Sequence, residues 1–190
     1  MQARIDKEIT LLKNDSSGRY KLLSVIIPDI IANNNSDNKG SGNRADLLRD
    51  EFSYNNIAVI KKVETNNSSH VMLKIQLFGE IGTVYDGESW VLQLILKNYP
   101  FESPITTFIG TPPVHEHVYS NGHICFSLFY DDWSPSITIS TILSELSSLL
   151  RTTSSPSRIK TPPSDDFSYC NSHPYGSDPK LTKFHFHHPL

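Results

Sequence analysis

Ile5, Ile9 and Leu12 recur along the first thirteen positions with the period of a helix while charges fill the remaining face, which predicts an amphipathic helix over residues 2–13. Asn14-Asp15-Ser16-Ser17-Gly18 stops it. A short apolar run over 22–27 follows, and then Asn, Ser, Asp, Lys and Gly alone occupy residues 33–43. Such a stretch cannot offset its ordering entropy by burial, so a disordered insertion is expected over about 28–54. Residues 57–63, 71–78 and 90–96 are rich in β-branched and aromatic side chains, and the second and third alternate in part. Asn66-Asn67-Ser68-Ser69 and Tyr85-Asp86-Gly87-Glu88 read as hairpin turns, so these runs are expected to pair antiparallel as a meander. Tyr99-Pro100-Phe101-Glu102-Ser103-Pro104 breaks the pattern, and 105–109 supplies a fourth strand.

Residues 110–135 hold no regular period, yet Val118, Tyr119, Ile124, Phe126, Phe129 and Trp133 make them too apolar for disorder, which marks a functional loop. Helical spacing returns over 138–150 with Ile139, Ile142, Leu143, Leu146 and Leu150, capped by Ser136 or Thr138. Beyond Arg151 the chain turns to Ser, Thr, Pro and His. The expected class is therefore α+β: a four-stranded antiparallel meander with an N-terminal and a central helix, a core domain over 1–155 and a flexible tail over 156–190.

A length of 190 residues suits one domain with appendages, and the modest 37% apolar content fits a chain that is not packed throughout. The net charge of −3 is uneven. Residues 101–150 carry Glu102, Glu116, Asp131, Asp132 and Glu145 but no Lys or Arg, which excludes nucleic acid as a partner there. In the first 21 residues Arg4, Lys7, Lys13, Arg19 and Lys21 outnumber the acids, consistent with an acidic protein partner or with a solvated helix face. No apolar run is long enough to span a bilayer and the opening residues are too charged for a secretory signal, so a soluble protein of the cytoplasm or nucleus is expected, with no membrane partner. In a reducing compartment Cys125 and Cys170 stay free, and a free cysteine is commonly just a small buried hydrophobe. His173, His185, His187 and His188 with Cys170 suggest a metal site, but their spacing fits no closed tetrahedral pattern, and neither metal nor cofactor is expected.

The segment His115-Glu116-His117-Val118-Tyr119-Ser120-Asn121-Gly122-His123-Ile124-Cys125, with Trp133-Ser134-Pro135 after it, resembles the active-site region of ubiquitin-conjugating enzymes. In that family a His-Pro-Asn motif places its histidine ten residues before the nucleophilic cysteine, the separation of His115 from Cys125 here. Tyr99-Pro100-Phe101 and the N-terminal helix match the family too. The chain is most similar to the W type, which also has histidine where other members have the motif asparagine. Glu116 in place of the motif proline and residues 28–54 depart from the pattern, while the aromatic and histidine tail after Asp178-Pro179-Lys180 is shared, though Phe184-His185-Phe186-His187-His188 stands where the W type has more tryptophan.

The resemblance implies that Cys125 carries ubiquitin as a thioester and that His117 occupies the place of the oxyanion-stabilising asparagine. A bracing role for His117 in the loop is an equal alternative. His115 is implied as structural and Asn121-Gly122 as the turn presenting Cys125; His123 has no assigned role. Glu116, Asp131 and Asp132, or Asp165 and Asp166, are the acids available to orient an acceptor amine. The implied partners are ubiquitin, an activating enzyme at Arg4 and Lys7, ligases of the RING or U-box type at Arg4, Phe101, Pro135 and Ser136, and substrates with flexible N-termini. Core packing is the alternative for Phe101. Apart from the resemblance, the lack of basic residues over 101–150 argues against an activated protease-like thiolate. Two alternatives stay open: a silent binding relative, and an enzyme for another ubiquitin-like modifier.

Overall fold

The computed structural model describes residues 2–28, 58–62, 70–151, 160–182 and 184. The expected disordered insertion, apart from Pro28, and the turn at Asn66–Ser69 lie outside the described residues.

Helix α1 spans Gln2–Lys13 and buries Ile5, Glu8, Ile9 and Leu12. That stripe follows helical spacing, so the acid at position 8 belongs to the apolar face and not to the charged one. Its carboxylate is satisfied there: Oε1 accepts from Arg4 Nε at 2.8 Å and from the Tyr99 hydroxyl at 2.6 Å, and Oε2 accepts from the Ile139 N–H at 2.7 Å. Burial of a charge is tolerable only with such partners.

Strand β1 (Tyr20–Pro28) pairs antiparallel with β3 (Val71–Phe78), β3 with β4 (Ser89–Leu96), and β4 with β5 (Ile105–Ile109). This is the four-stranded antiparallel sheet of the expected class, but its first strand is the apolar run after α1. Strand β2 (Ala58–Lys62), expected beside β3, instead pairs parallel with β1 and forms the outer edge, giving the order β2-β1-β3-β4-β5. A parallel pair needs a crossover of a dozen or more residues, and the chain between Pro28 and Ala58 is long enough to supply one. One sheet face is closed by alternation: Leu73, Ile75 and Leu77 stand opposite Leu94, Leu92 and Trp90, all buried. Helix α2 (Ile139–Arg151) adds Ile139, Ile142, Leu143 and Leu146 to the same core, each contributing about 1.5–3 kcal/mol of burial. Of the two expected caps Thr138 serves, its hydroxyl oxygen accepting the Thr141 N–H at 3.1 Å.

A flexible tail does not describe residues 160–182. They contain helix α3 (Asp166–Ser172) and a 3₁₀ turn at Pro179–Leu181, and they fold back onto the domain. The Lys180 ammonium reaches the Phe129 carbonyl at 2.5 Å, and Lys97 pairs with Asp178 at 3.0 Å. Composition misleads here because a few inward side chains anchor a segment that is otherwise polar.

Candidate active site

The loop between β5 and α2 is shaped by main-chain hydrogen bonds. The Val118 N–H donates to the His115 carbonyl at 3.0 Å, Tyr119 to His123 at 2.9 Å, and Cys125 to His117 at 2.8 Å. Bridges between His115 and Val118 and between Val118 and Ile124 fold Cys125 back beside His117. The turn that allows this needs glycine at its end. Gly122 has φ of 87°, and a Cβ there would sit 2.1 Å from the Phe108 carbonyl oxygen, on the strand whose Phe108 N–H bonds Gly122 at 2.9 Å. Asn121 serves the same turn twice, its Oδ1 accepting the His123 N–H at 3.0 Å and its Nδ2 donating to the His173 carbonyl at 2.7 Å.

His115 is 1% exposed, and its Nδ1 accepts the His117 N–H at 3.0 Å. The bracing bonds of this loop run through the His115 ring and the His117 main chain, and the two rings lie 5.6 Å apart.

The Cys125 thiol is half-buried, and burial foremost, with the Asp165 carboxylate second, pushes its pKa up to about 11. A thiol in this setting is a weak free nucleophile. The carboxylate that contributes to this rise belongs to the C-terminal segment. Asp131 and Asp132 are exposed beyond the 3₁₀ turn Ser127–Phe129, whereas Asp165, also exposed, accepts the Tyr119 hydroxyl at 3.2 Å just before α3. Asp166 holds Ser120, accepting its N–H at 2.7 Å and its hydroxyl at 2.6 Å. Burial opposes ionisation of Asp166, but these two bonds prevail and keep its pKa below the usual value.

An aromatic wall backs the site. Tyr169 stacks on Tyr119 with centroids 3.8 Å apart and on His173 at 4.3 Å, and Phe184 meets Tyr130 edge-on at 5.2 Å. The sequence carries no sign that Tyr119, Tyr169 and His123 meet in one cluster. What it does carry is Pro163 ahead of Asp165-Asp166, a helix start in a stretch otherwise poor in pattern. Within the suggested metal cluster, Cys170 Sγ lies 3.5 Å from Asp166 and His173 is in the stack, while His185, His187 and His188 are outside the described residues.

A second surface forms where α1 meets the Tyr99-Pro100-Phe101 turn. Trp133 Nε1 donates to the Pro100 carbonyl at 3.0 Å and Arg4 Nη2 to Ile137 at 2.9 Å, which draws residues 99–101 and 133–137 together against α1. Phe101 is 68% exposed, so core packing does not explain it; Lys7, Pro135 and Ser136 are exposed as well. Arg4 is different, with its guanidinium largely committed to Glu8 and Ile137.

The sequence pattern of the family described as "Ubiquitin-conjugating enzyme" matches residues 46–169. A protein of Dictyostelium discoideum named as a probable ubiquitin-conjugating enzyme E2 W is 42% identical over 114 residues, which span 60% of this chain and 73% of that one. Ubiquitin-conjugating enzyme E2 W of Caenorhabditis elegans is 40% identical over 116 residues, 60% of this chain and 72% of that one. Among solved structures, the ubiquitin-conjugating enzyme E2 UbcA1 from Agrocybe aegerita superposes with a TM-score of 0.60 at 23% identity, over 90% of this chain and 94% of that chain, and speaks for the fold.

Proposed function

The chain belongs to the ubiquitin-conjugating enzyme family, and on that premise we propose that Cys125 accepts ubiquitin as a thioester from an activating enzyme and passes it to substrate amines, N-terminal α-amines included. The observation that carries this is the stitched loop that sets Cys125 against His117. In loading, the Cys125 sulfur attacks the carbonyl of the activating enzyme's thioester and gives up its proton; the new C–S bond forms as the old one breaks, and the departing thiolate takes up that proton. In discharge, the amine nitrogen attacks, the C–N bond forms, and Cys125 leaves as the thiol with a proton that came from the amine. A sulfur of such high pKa is a poor leaving group, so donors on the developing oxyanion matter. The His117 imidazole N–H is the donor proposed, and Asp165 is the carboxylate that orients the amine. Lys7 on α1 is assigned to the activating enzyme, and the exposed Phe101, Pro135 and Ser136 to a RING or U-box ligase, with Arg4 shaping that corner from below.

Incubation with ubiquitin, ATP and activating enzyme is expected to give a thiol-sensitive conjugate that Cys125→Ala abolishes and Cys170→Ala preserves. Absence of that conjugate from the unaltered protein overturns the reading. His117→Ala is expected to slow discharge by on the order of tenfold to a hundredfold while loading changes little, since loading is assisted by the other enzyme's site. Equal slowing of both steps, in single-turnover assays, would assign His117 to bracing instead.

A further inference from the structure

His123 is 1% exposed and stands two residues before Cys125, yet both of its ring nitrogens are engaged by the C-terminal segment. Nε2 lies 3.0 Å from the Ser177 carbonyl, which can only accept, so Nε2 carries the proton. Nδ1 is then an acceptor, and the Tyr169 hydroxyl donates to it at 2.8 Å. Burial lowers the pKa of His123, in keeping with this neutral form.

The Tyr169 ring held in this way is the one stacked 3.8 Å from Tyr119, and the Tyr119 hydroxyl in turn bonds Asp165. Asp165 immediately precedes α3, and the Tyr169 N–H within the helix donates to its carbonyl at 2.9 Å. Two routes, one through the stacked rings and one through the helix, therefore run from His123 to the Asp165 carboxylate, which bonds Tyr119 of the loop that carries Cys125.

We propose that His123 is a positioning residue for discharge, its Nδ1 fixing the Tyr169 hydroxyl so that α3 holds Asp165 where the incoming amine must pass. This rests on the conjugating reading above. The loop itself does not need that bond, since Asn121, Gly122 and main-chain pairs already shape it. Loading should then be indifferent to His123, and discharge should depend on the arm that reaches Tyr169 rather than the arm that reaches Ser177.

The two arms are separable by substitution. In His123→Asn the side-chain oxygen stands near the place of Nδ1 and can still accept from Tyr169; in His123→Gln the amide reaches the place of Nε2 and can serve only Ser177. Tyr169→Phe removes the hydroxyl and keeps the stacked ring. With the full chain loaded on Cys125 and then given a free-N-terminus peptide, His123→Gln and Tyr169→Phe are expected to discharge about five- to tenfold more slowly, the worth of one neutral hydrogen bond. His123→Asn should stay within about twofold of the parent, all variants should load normally, and the Gln/Phe pair together should be no slower than the slower single variant. Multiplying effects in the pair, equal losses in loading and discharge, or unchanged discharge in both single variants would each overturn the inference. Failure of the unaltered protein to load would instead remove the conjugating reading and this inference with it, and that result is read first in the same assay.

Discussion

Glu8→Ala is expected to lower the free energy of unfolding by about 3 kcal/mol, near the low end for breaking a buried ion pair because the Arg4 side chain remains one-third exposed and can turn to water. The loss has three parts. The Ile139 N–H, one of the unpaired donors at the start of α2, loses its acceptor; the Tyr99 hydroxyl keeps only the Ile137 carbonyl at 3.2 Å; and Arg4 loses its charge-assisted partner. For a chain of this size the corresponding fall in the thermal midpoint is about 6–12 °C. Glu8→Gln, which keeps one acceptor for Tyr99 but turns an amide towards one of the other donors, should lose about half as much. Thermal and denaturant unfolding of the three proteins checks this, and a loss below about 1 kcal/mol for the alanine variant would mean that the network adds little to stability. The Cys125 loop rests on β5 through Gly122 and Phe108 rather than on this network, so well below the midpoint thioester loading should persist.

That network also marks where sequence reading stops. The Ile5, Ile9 and Leu12 stripe, the alternation in β3 and β4 and the periodic face of α2 were legible because each is a local pattern with one burial solution. Glu8 shares the α1 spacing, but a residue type that is usually solvated concealed it, and its partners lie at Tyr99 and Ile139, far along the chain. The place of β2 was illegible for a related reason: its composition says strand, whereas its neighbour follows from crossover length and from which edge of β1 is open. In the site, the His115 to Cys125 separation and the Asn121-Gly122 turn were legible through the resemblance to ubiquitin-conjugating enzymes. The pairing of Tyr119 with Asp165 was not. It needs α3 to fold over the loop, and α3 is held by Tyr169, Asp166 and Asn121 pairs that leave no periodic trace.

At neutral pH the loaded protein is expected to discharge far faster to a lysine-free peptide with a free, flexible N-terminus than to an N-acetylated peptide containing lysine. The group proposed to orient the acceptor, Asp165, is a carboxylate, and a carboxylate orients an amine but is a weak base for it. An acceptor must therefore arrive largely deprotonated. With pKa values of about 7.7–8.0 for an α-amine and about 10.4 for lysine, the reactive fraction at pH 7 differs by roughly a few hundredfold. The greater basicity of lysine makes its free form somewhat the better nucleophile, which offsets part of that gap and leaves a difference of roughly ten- to a hundredfold in rate. The pH profile separates this cause from a binding preference. Discharge to lysine should climb about tenfold per unit across pH 7–9, while discharge to the α-amine should flatten above about pH 8, so the two rates converge as pH rises. A constant ratio across that range would mean that the acceptor is chosen by contacts rather than by its proton. Faster discharge to the acetylated peptide at pH 7 would remove the preference for N-termini altogether and leave Cys125 as the carrier of an enzyme that modifies lysine.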